Sequence, residues 1–176
     1  LAPKWKGKIG LSSNELEWFM GMLDLMGEEK GRQFMKRLGE NDPTIRSGRT
    51  LGVNLMVAGE FPVALGSLRV LRELQRAGAP INMIPFPVPT LTSIRMIVMH
   101  ATAPHPTASK LFVDFILSKD GQGILERLNY QPVRTDVMMT DPVVEEIRRN
   151  MFPIKPRAPE VVDGYNKEYL KIFKIR

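Results

Sequence analysis

Residues 103–122, APHPTASKLFVDFILSKDGQ, are the most informative stretch of this 176-residue chain. The prolines predict a stiff approach to an amphipathic helix, and Thr107 is predicted to cap that helix with its hydroxyl. A second helix is predicted to open at Ser118. The apolar side chains of the first helix recur at helical spacing, so they are predicted to face a core. They are Leu111, Phe112, Phe115 and Ile116.

Length and composition bound the class of protein. A chain of 176 residues with 43% hydrophobic and 25% charged residues is typical of one globular domain or two small lobes. It contains no Cys, which excludes disulfides and thiolate metal sites and leaves the redox compartment open. No apolar run is long enough to predict a transmembrane helix. The first residues contain neither an initiator Met nor the apolar core of a signal peptide, so we expect a fragment of a longer precursor.

The net charge of +6 raises the question of a nucleic-acid or anionic partner. The Lys and Arg residues are scattered, aromatic residues do not alternate with them, and no zinc-finger spacing is present. We therefore interpret the charge as a basic solvated surface and expect no nucleic-acid partner.

Strand and helix patterns alternate along the chain, which predicts an α/β fold with an open, mainly parallel sheet flanked by helices and part of a second lobe. Short apolar runs predict strands at residues 8–11, 61–65, 81–86 and 94–99. Apolar residues at helical spacing predict helices from residue 16 to Gly27 and at residues 28–38, 47–59, 67–77, 142–150 and 160–173. Residues 132–137 are predicted to cross between lobes.

Three places, at residues 11–13, 47–50 and 65–67, repeat one arrangement, in which a short apolar strand is followed by a small polar residue and then by a helix. Helix N-termini present unpaired N–H groups, and in parallel sheets they lie at the carboxyl ends of the strands, so together they predict an anion-binding cleft. Nearby arginines would add bidentate donors. The alternative is that the serines are ordinary helix caps, with Ser12 and Glu15 forming a capping box, and that the arginines are ordinary surface residues. The candidate ligand-binding residues are Ser12, Ser13, Arg46, Ser47, Gly48, Arg49, Gly66, Ser67 and Arg69.

Catalytic signatures are not found in the sequence. His100 and His105 are the only histidines, and neither a nucleophile elbow, a phosphate loop nor a dinucleotide fingerprint occurs. The histidines and carboxylates lack the spacing of metal ligands, and the 11 Met residues are interpreted as core filling. We expect a protein that is not an enzyme and that has no cofactor and no metal.

Four blocks, in this order and spacing, resemble bacterial extracellular solute-binding proteins of family 1. The long motif at residues 103–122 resembles the family's APHPNAAKLFVDFLLSEEGQ. The other blocks are PKWKGKIG at 3–10, SGRT at 47–50 with VAGEFPVA at 57–64, and NYQPVRTDV at 129–137. Members of this family are the ligand-capturing subunits of ABC importers, and their type II periplasmic binding fold has two lobes.

The resemblance implies a domain organisation. Residues 1–85 would form the C-terminal lobe, residues 86–137 a returning segment of the N-terminal lobe, and residues 138–176 C-terminal helices that pack back on the C-terminal lobe. The N-terminal half of a family member is expected to lie upstream. A lobe piece without its partner strands exposes apolar surface and open sheet edges, so we expect dimerisation or segment exchange.

The resemblance also implies a function, with alternatives. The chain would capture a small solute, anionic or a metal–anion complex, outside the cytoplasm and deliver it to a membrane ABC permease. Ferric members of the family hold iron with adjacent tyrosines, whereas residues 66–70 here read GSLRV, which argues against tyrosinate iron binding. The alternative is the effector-binding domain of a transcription regulator of the same architecture. The sequence does not identify the solute.

Overall fold

The computed structural model describes residues 2–84 and 89–175 and has an α/β fold. Its contacts divide the chain into two compact units. Unit 1 comprises residues 2–84, 91–93 and 152–175, and unit 2 comprises residues 89–90 and 94–151. No helix among the described residues combines the length and the apolar character needed to cross a bilayer.

The helices follow the predicted pattern closely, after a short 3₁₀ turn at Pro3–Trp5. In unit 1 they are α1 (Leu16–Met26), α2 (Glu28–Glu40), α3 (Arg49–Val57), α4 (Leu68–Arg76) and α8 (Pro159–Phe173). In unit 2 they are α5 (Pro106–Leu117), α6 (Lys119–Arg127) and α7 (Pro142–Arg149).

A three-stranded parallel sheet organises unit 1. Its strands are β1 (Ile9–Ser12), β2 (Thr44–Arg46) and β3 (Val63–Ala64), in the order β2-β1-β3. Each strand is followed by a helix, as the alternation in the sequence predicts, because parallel neighbours need a crossover connection. The predicted parallel sheet is confirmed for these three strands.

The core of unit 1 lies where α1, α2 and α8 pack beside β1. Phe19 of α1 contacts Tyr169 of α8 edge to face, with ring centroids 5.8 Å apart. Gly31 allows α1 and α2 to approach closely, since a Cβ there would lie 2.8 Å from the Cα of Leu23. The final helix of the chain is therefore part of the first core, and Phe173 is buried there as well.

The predicted cap at Ser67 is confirmed, the helix predicted to open at Ser118 does start there, and the predicted caps at Thr107 and Ser12 are wrong. The Ser67 and Ser118 hydroxyls cap α4 and α6 by accepting from the N–H groups of Val70 and Gly121. Thr107 lies inside the first turn of α5 because Pro106 begins that helix, so it is not the cap. Ser12 lies too far from α1 to cap it, and no capping box forms there.

Polar side chains fix the loop between α6 and α7 in unit 2. Buried Gln122 accepts from the N–H of Val133 and donates to the carbonyl of Ile116. Buried Glu126 accepts from both the N–H and the hydroxyl of Thr140. These bonds hold residues 129–140 against α6 without a large apolar core.

The expected core face of α5 is a wrong prediction for this chain. None of its residues is buried, and Leu111, Phe112 and Phe115 are exposed. The strand predicted at 94–99 is also wrong, because these residues form neither a strand nor a helix and all are exposed. A strand exists only with a partner to pair with, and none of the described residues pairs with this segment.

Two further predicted segments differ from the structure. Residues 81–84 form no strand, and residues 85–86 of that predicted strand lie outside the described residues. Residues 132–137 contain no regular element and lie wholly in unit 2.

The chain passes between the units at two paired strands, β4 (Thr90–Thr92) and β5 (Met151–Pro153). The passages between the two units thus lie near residues 90 and 151. The tail from residue 138 is divided: residues 138–151 cluster with unit 2, whereas α8 packs on α1 and α2 of unit 1. Arg148 of α7 shows why, because its guanidinium donates to the carbonyls of Val137 and Arg134 in unit 2.

Candidate functional site

The carboxyl ends of the three parallel strands in unit 1 lie side by side at one edge of the sheet, which we call the strand-end edge. Ser12 at the end of β1 is in register with Arg46 at the end of β2. The N–H of Ser13 donates to the carbonyl of Arg46 at 2.8 Å, and that of Leu65 donates to Gly10 at 2.9 Å. Helices α1, α3 and α4 therefore all start from this edge.

The β1–α1 turn is fixed by a tyrosine from the far end of the chain. The hydroxyl of Tyr169 donates to the carbonyl of Ser12 at 2.8 Å and accepts from the N–H of Glu15 at 3.3 Å. Burial raises the pKa of Tyr169 to about 12, with the nearby Glu15 carboxylate adding to the rise, so the hydroxyl stays a donor even above pH 10. The Ser12 hydroxyl accepts from Asn14 and is buried, which leaves Ser13 as the more accessible serine.

A bidentate ion pair joins the starts of α1 and α3. The Glu15 side chain is fully buried, and both of its oxygens accept from Arg49, whose Nε and Nη2 lie 2.6 to 2.9 Å away. These bonds raise the pKa of Arg49 above its usual value. A planar guanidinium held at two atoms has a fixed orientation. Among the described residues no partner bonds Nη1 of Arg49, and 35% of this side chain is exposed.

The β2–α3 turn consists of Ser47 and Gly48 and follows Arg46, the last residue of β2. Gly48 stands at the N-cap of α3 with a φ of 85°, a conformation that favours glycine. Ser47 is exposed and makes no cap bond, so the interpretation of Ser47 as an ordinary cap is wrong. Arg46 folds back on its own strand, donating to the Ile45 carbonyl at 3.1 Å and pairing with Glu60.

The β3–α4 turn offers fewer accessible groups. The Ser67 hydroxyl is occupied by its cap bond to Val70, at 3.4 Å. Arg69 pairs with Glu73 one turn along the same helix, at 2.9 Å. Gly66 is exposed and packs closely on Val53, since a Cβ would lie 2.7 Å from that side chain.

The predicted ligand-binding residues therefore lie on three neighbouring turns at one edge, but their chemistry differs from the prediction. Each of the arginines at positions 46, 49 and 69 already bonds a carboxylate of this chain. Among the described residues of this edge, the groups left available are N–H groups of the first residues of the three helices, the hydroxyls of Ser13 and Ser47, and one nitrogen of Arg49.

Sequence reasoning missed three residues at this edge. Glu15 was assigned to a capping box, whereas its carboxylate binds Arg49. Tyr169 and Glu60 carried no signal in the sequence, because their partners at the edge lie elsewhere in the chain. Among the described residues no group of three His, Asp or Glu side chains is placed to hold a metal ion.

Neither the comparison with family models nor that with curated proteins found a match for this sequence.

Proposed function

We propose that this chain is part of the substrate-binding component of an ABC transporter, with a type II periplasmic binding fold. In this proposal it captures a small anionic solute outside the cytoplasm, between two lobes, and delivers it to a membrane permease. The proposal rests on the four sequence blocks that resemble family 1 solute-binding proteins and on the strand-end edge.

The observation that carries the proposal is the placement of three helix starts at one edge of a parallel sheet. Helices α1, α3 and α4 follow β1, β2 and β3 directly. Each helix start carries unpaired N–H groups and the positive end of the helix dipole. In open α/β sheets ligands bind at the carboxyl ends of the strands, where these N–H groups lie.

The charge balance at the edge favours a ligand with little negative charge of its own. The Glu15 carboxylate neutralises Arg49, and Glu60 and Glu73 neutralise Arg46 and Arg69. The attraction for an anion then comes from helix dipoles and from single hydrogen bonds, each of which contributes roughly 0.5–1.5 kcal/mol. We therefore favour a monocarboxylate or a singly charged phosphonate over a multiply charged anion.

A thermal-shift screen tests the proposal. The ligands are acetate, methylphosphonate, succinate, inorganic phosphate and spermidine, applied to the 176-residue chain and to the whole product of its gene. An anion should raise the melting temperature in a saturable way. A shift with spermidine and none with any of the anions would contradict the proposal.

A variant with an added negative charge at the strand-end edge tests whether the anion binds there. Ser47→Asp adds a carboxylate just before α3, where it interacts favourably with the helix dipole but repels an anion. We expect this variant to keep its melting temperature and to lose most of the anion-induced shift. Thr107→Asp adds the same charge to the first turn of α5 in unit 2 and is the matched control, which should keep the shift. Equal losses in the two variants would show that the anion does not bind at the strand-end edge.

A further inference from the structure

Residues 94–99, IRMIVM, form the most exposed apolar segment of unit 2. From Met96 to Met99 the exposed fraction of the side chains alternates between high and lower values. Ile94, Met96 and Val98 are 70%, 81% and 82% exposed, whereas Ile97 and Met99 are 47% and 43% exposed. Soluble monomers rarely leave so many large apolar side chains in water at one place.

The backbone of this segment is unpaired as well. None of the N–H or C=O groups of residues 94–99 bonds another described residue. The segment combines β-branched and unbranched apolar residues with a single charge and has no Pro or Gly, which is the composition of chains that add to another strand. Both its side chains and its peptide groups therefore lack partners within this part of the chain.

We propose that residues 95–99 pair antiparallel with the same residues of a second copy of this chain, with Ile97 facing its counterpart on the twofold axis. This proposal is independent of the ligand.

The pattern of side chains favours a second copy in this register. Directly opposed residues point to the same face of a ladder. With Ile97 on the axis, Met96 of each copy faces Val98 of the other, so the two most exposed side chains cover each other. Arg95 then faces Met99, which keeps the two positive charges apart. A parallel in-register pair would instead place Arg95 against Arg95, which is unfavourable.

The size of the contact sets the expected affinity. A strand of five residues is about 17 Å long, so its ladder is smaller than a standard interface of roughly 800 Å² per partner. The exposed apolar side chains of α5, which belong to the same unit, add to the apolar surface that a dimer can cover. We therefore expect a weak, reversible dimer rather than a permanent one.

Light scattering over a range of concentrations measures the association. The mass should rise from 19.9 kDa towards twice that value between about 1 μM and 300 μM chain. Val98→Lys places a charge in the centre of the ladder and should raise the dissociation constant at least about tenfold. The matched control is Val133→Lys, at a valine of the same unit that is 72% exposed, and it should dimerise like the unmodified chain.

Disulfide trapping tests the register, since the chain has no Cys of its own. Ile97→Cys places two thiols on the twofold axis and should yield a covalent dimer under mild oxidation. Val133→Cys, at the exposed control position, should stay mostly uncrosslinked at the same concentration.

Four results would overturn the proposal. They are a monomer at all concentrations, growth beyond a dimer into open-ended oligomers, equal effects of Val98→Lys and Val133→Lys, and equal crosslinking of the two cysteine variants. A monomer that binds phosphatidylcholine vesicles, and loses that binding with Val98→Lys, would show that lipid rather than a second copy covers the segment.

Discussion

Helices α1 and α5 carry similar apolar patterns, yet they end in opposite environments. Phe19 of α1 is completely buried between α2 and α8, whereas Phe112 of α5 is 59% exposed. Periodicity states which face of a helix is apolar, but the burial of that face depends on a partner element. Unit 1 contains such a partner in α8, which returns from the end of the chain. In unit 2 α5 contacts α6, but no residue of α5 is buried by that contact.

The largest expected effect contrasts these two phenylalanines. Phe19→Ala removes a buried ring and its contact with Tyr169, so the free energy of unfolding should fall by about 3–5 kcal/mol. Phe112→Ala should change it by less than about 0.5 kcal/mol, because the ring is mostly in water already. Urea denaturation at low micromolar concentration measures both. A large loss for Phe112→Ala would mean that α5 packs in solution against something that the structure does not contain.

The second contrast concerns two ion pairs. Arg49→Ala leaves the buried Glu15 carboxylate without its partner, which should cost roughly 2–4 kcal/mol of stability. The Arg134–Asp136 pair of unit 2 is also bidentate, but both side chains are exposed, so Arg134→Ala should have little effect on stability. The same denaturation experiment compares them. Equal losses of stability in the two variants would show that the burial of Glu15 does not make the Glu15–Arg49 pair more stabilising than the exposed pair.

The third contrast is pH-dependent and uses two tyrosines. Burial raises the pKa of Tyr169 from 10.0 to about 12, so above pH 10 the unfolded chain loses this proton while the folded chain keeps it. Stability from Tyr169 is therefore fully present below pH 10 and falls as the pH rises towards 12. Tyr169→Phe should also cost about 1–2 kcal/mol at neutral pH through its lost hydrogen bonds.

Thermal unfolding between pH 9 and about 11.5 follows this effect. The alkaline loss should be smaller in Tyr169→Phe than in the unmodified chain. Tyr130→Phe changes a tyrosine of unit 2 and keeps Tyr169, so it should retain the full loss. An unchanged alkaline loss in Tyr169→Phe would show that other groups, such as Tyr165, govern this range.

Features that depend on neighbouring residues could be predicted from the sequence. The strand at β1, the buried face of α1, the cap at Ser67 and the helix start at Ser118 all follow from patterns within a few residues. Each strand and each helix can be recognised from its own periodicity. Their alternation along the chain therefore predicted the parallel sheet as well.

Features that depend on distant partners could not be predicted. Glu15 reads as a helix-capping residue, but its carboxylate binds Arg49 and its N–H bonds Tyr169, which lies 154 residues further on. The segment at 94–99 has the composition of a strand and no strand to pair with among the described residues. The pairing of Arg46 with Glu60 and of Arg69 with Glu73 is known only from the folded structure. Because of these pairs, the two arginines are no longer expected to bind an anionic ligand as free cations.

The most direct test of the proposed anion site is an amide NMR titration of the ¹⁵N-labelled chain with acetate and with inorganic phosphate. We expect the N–H signals of Leu16, Gly48 and Ser67, at the starts of α1, α3 and α4, to move together and saturate. The N–H signal of Thr107, at a helix start in unit 2, should stay in place. Movement of Thr107 to the same extent, or no movement at the three turns with either anion, would contradict an anion site at this edge.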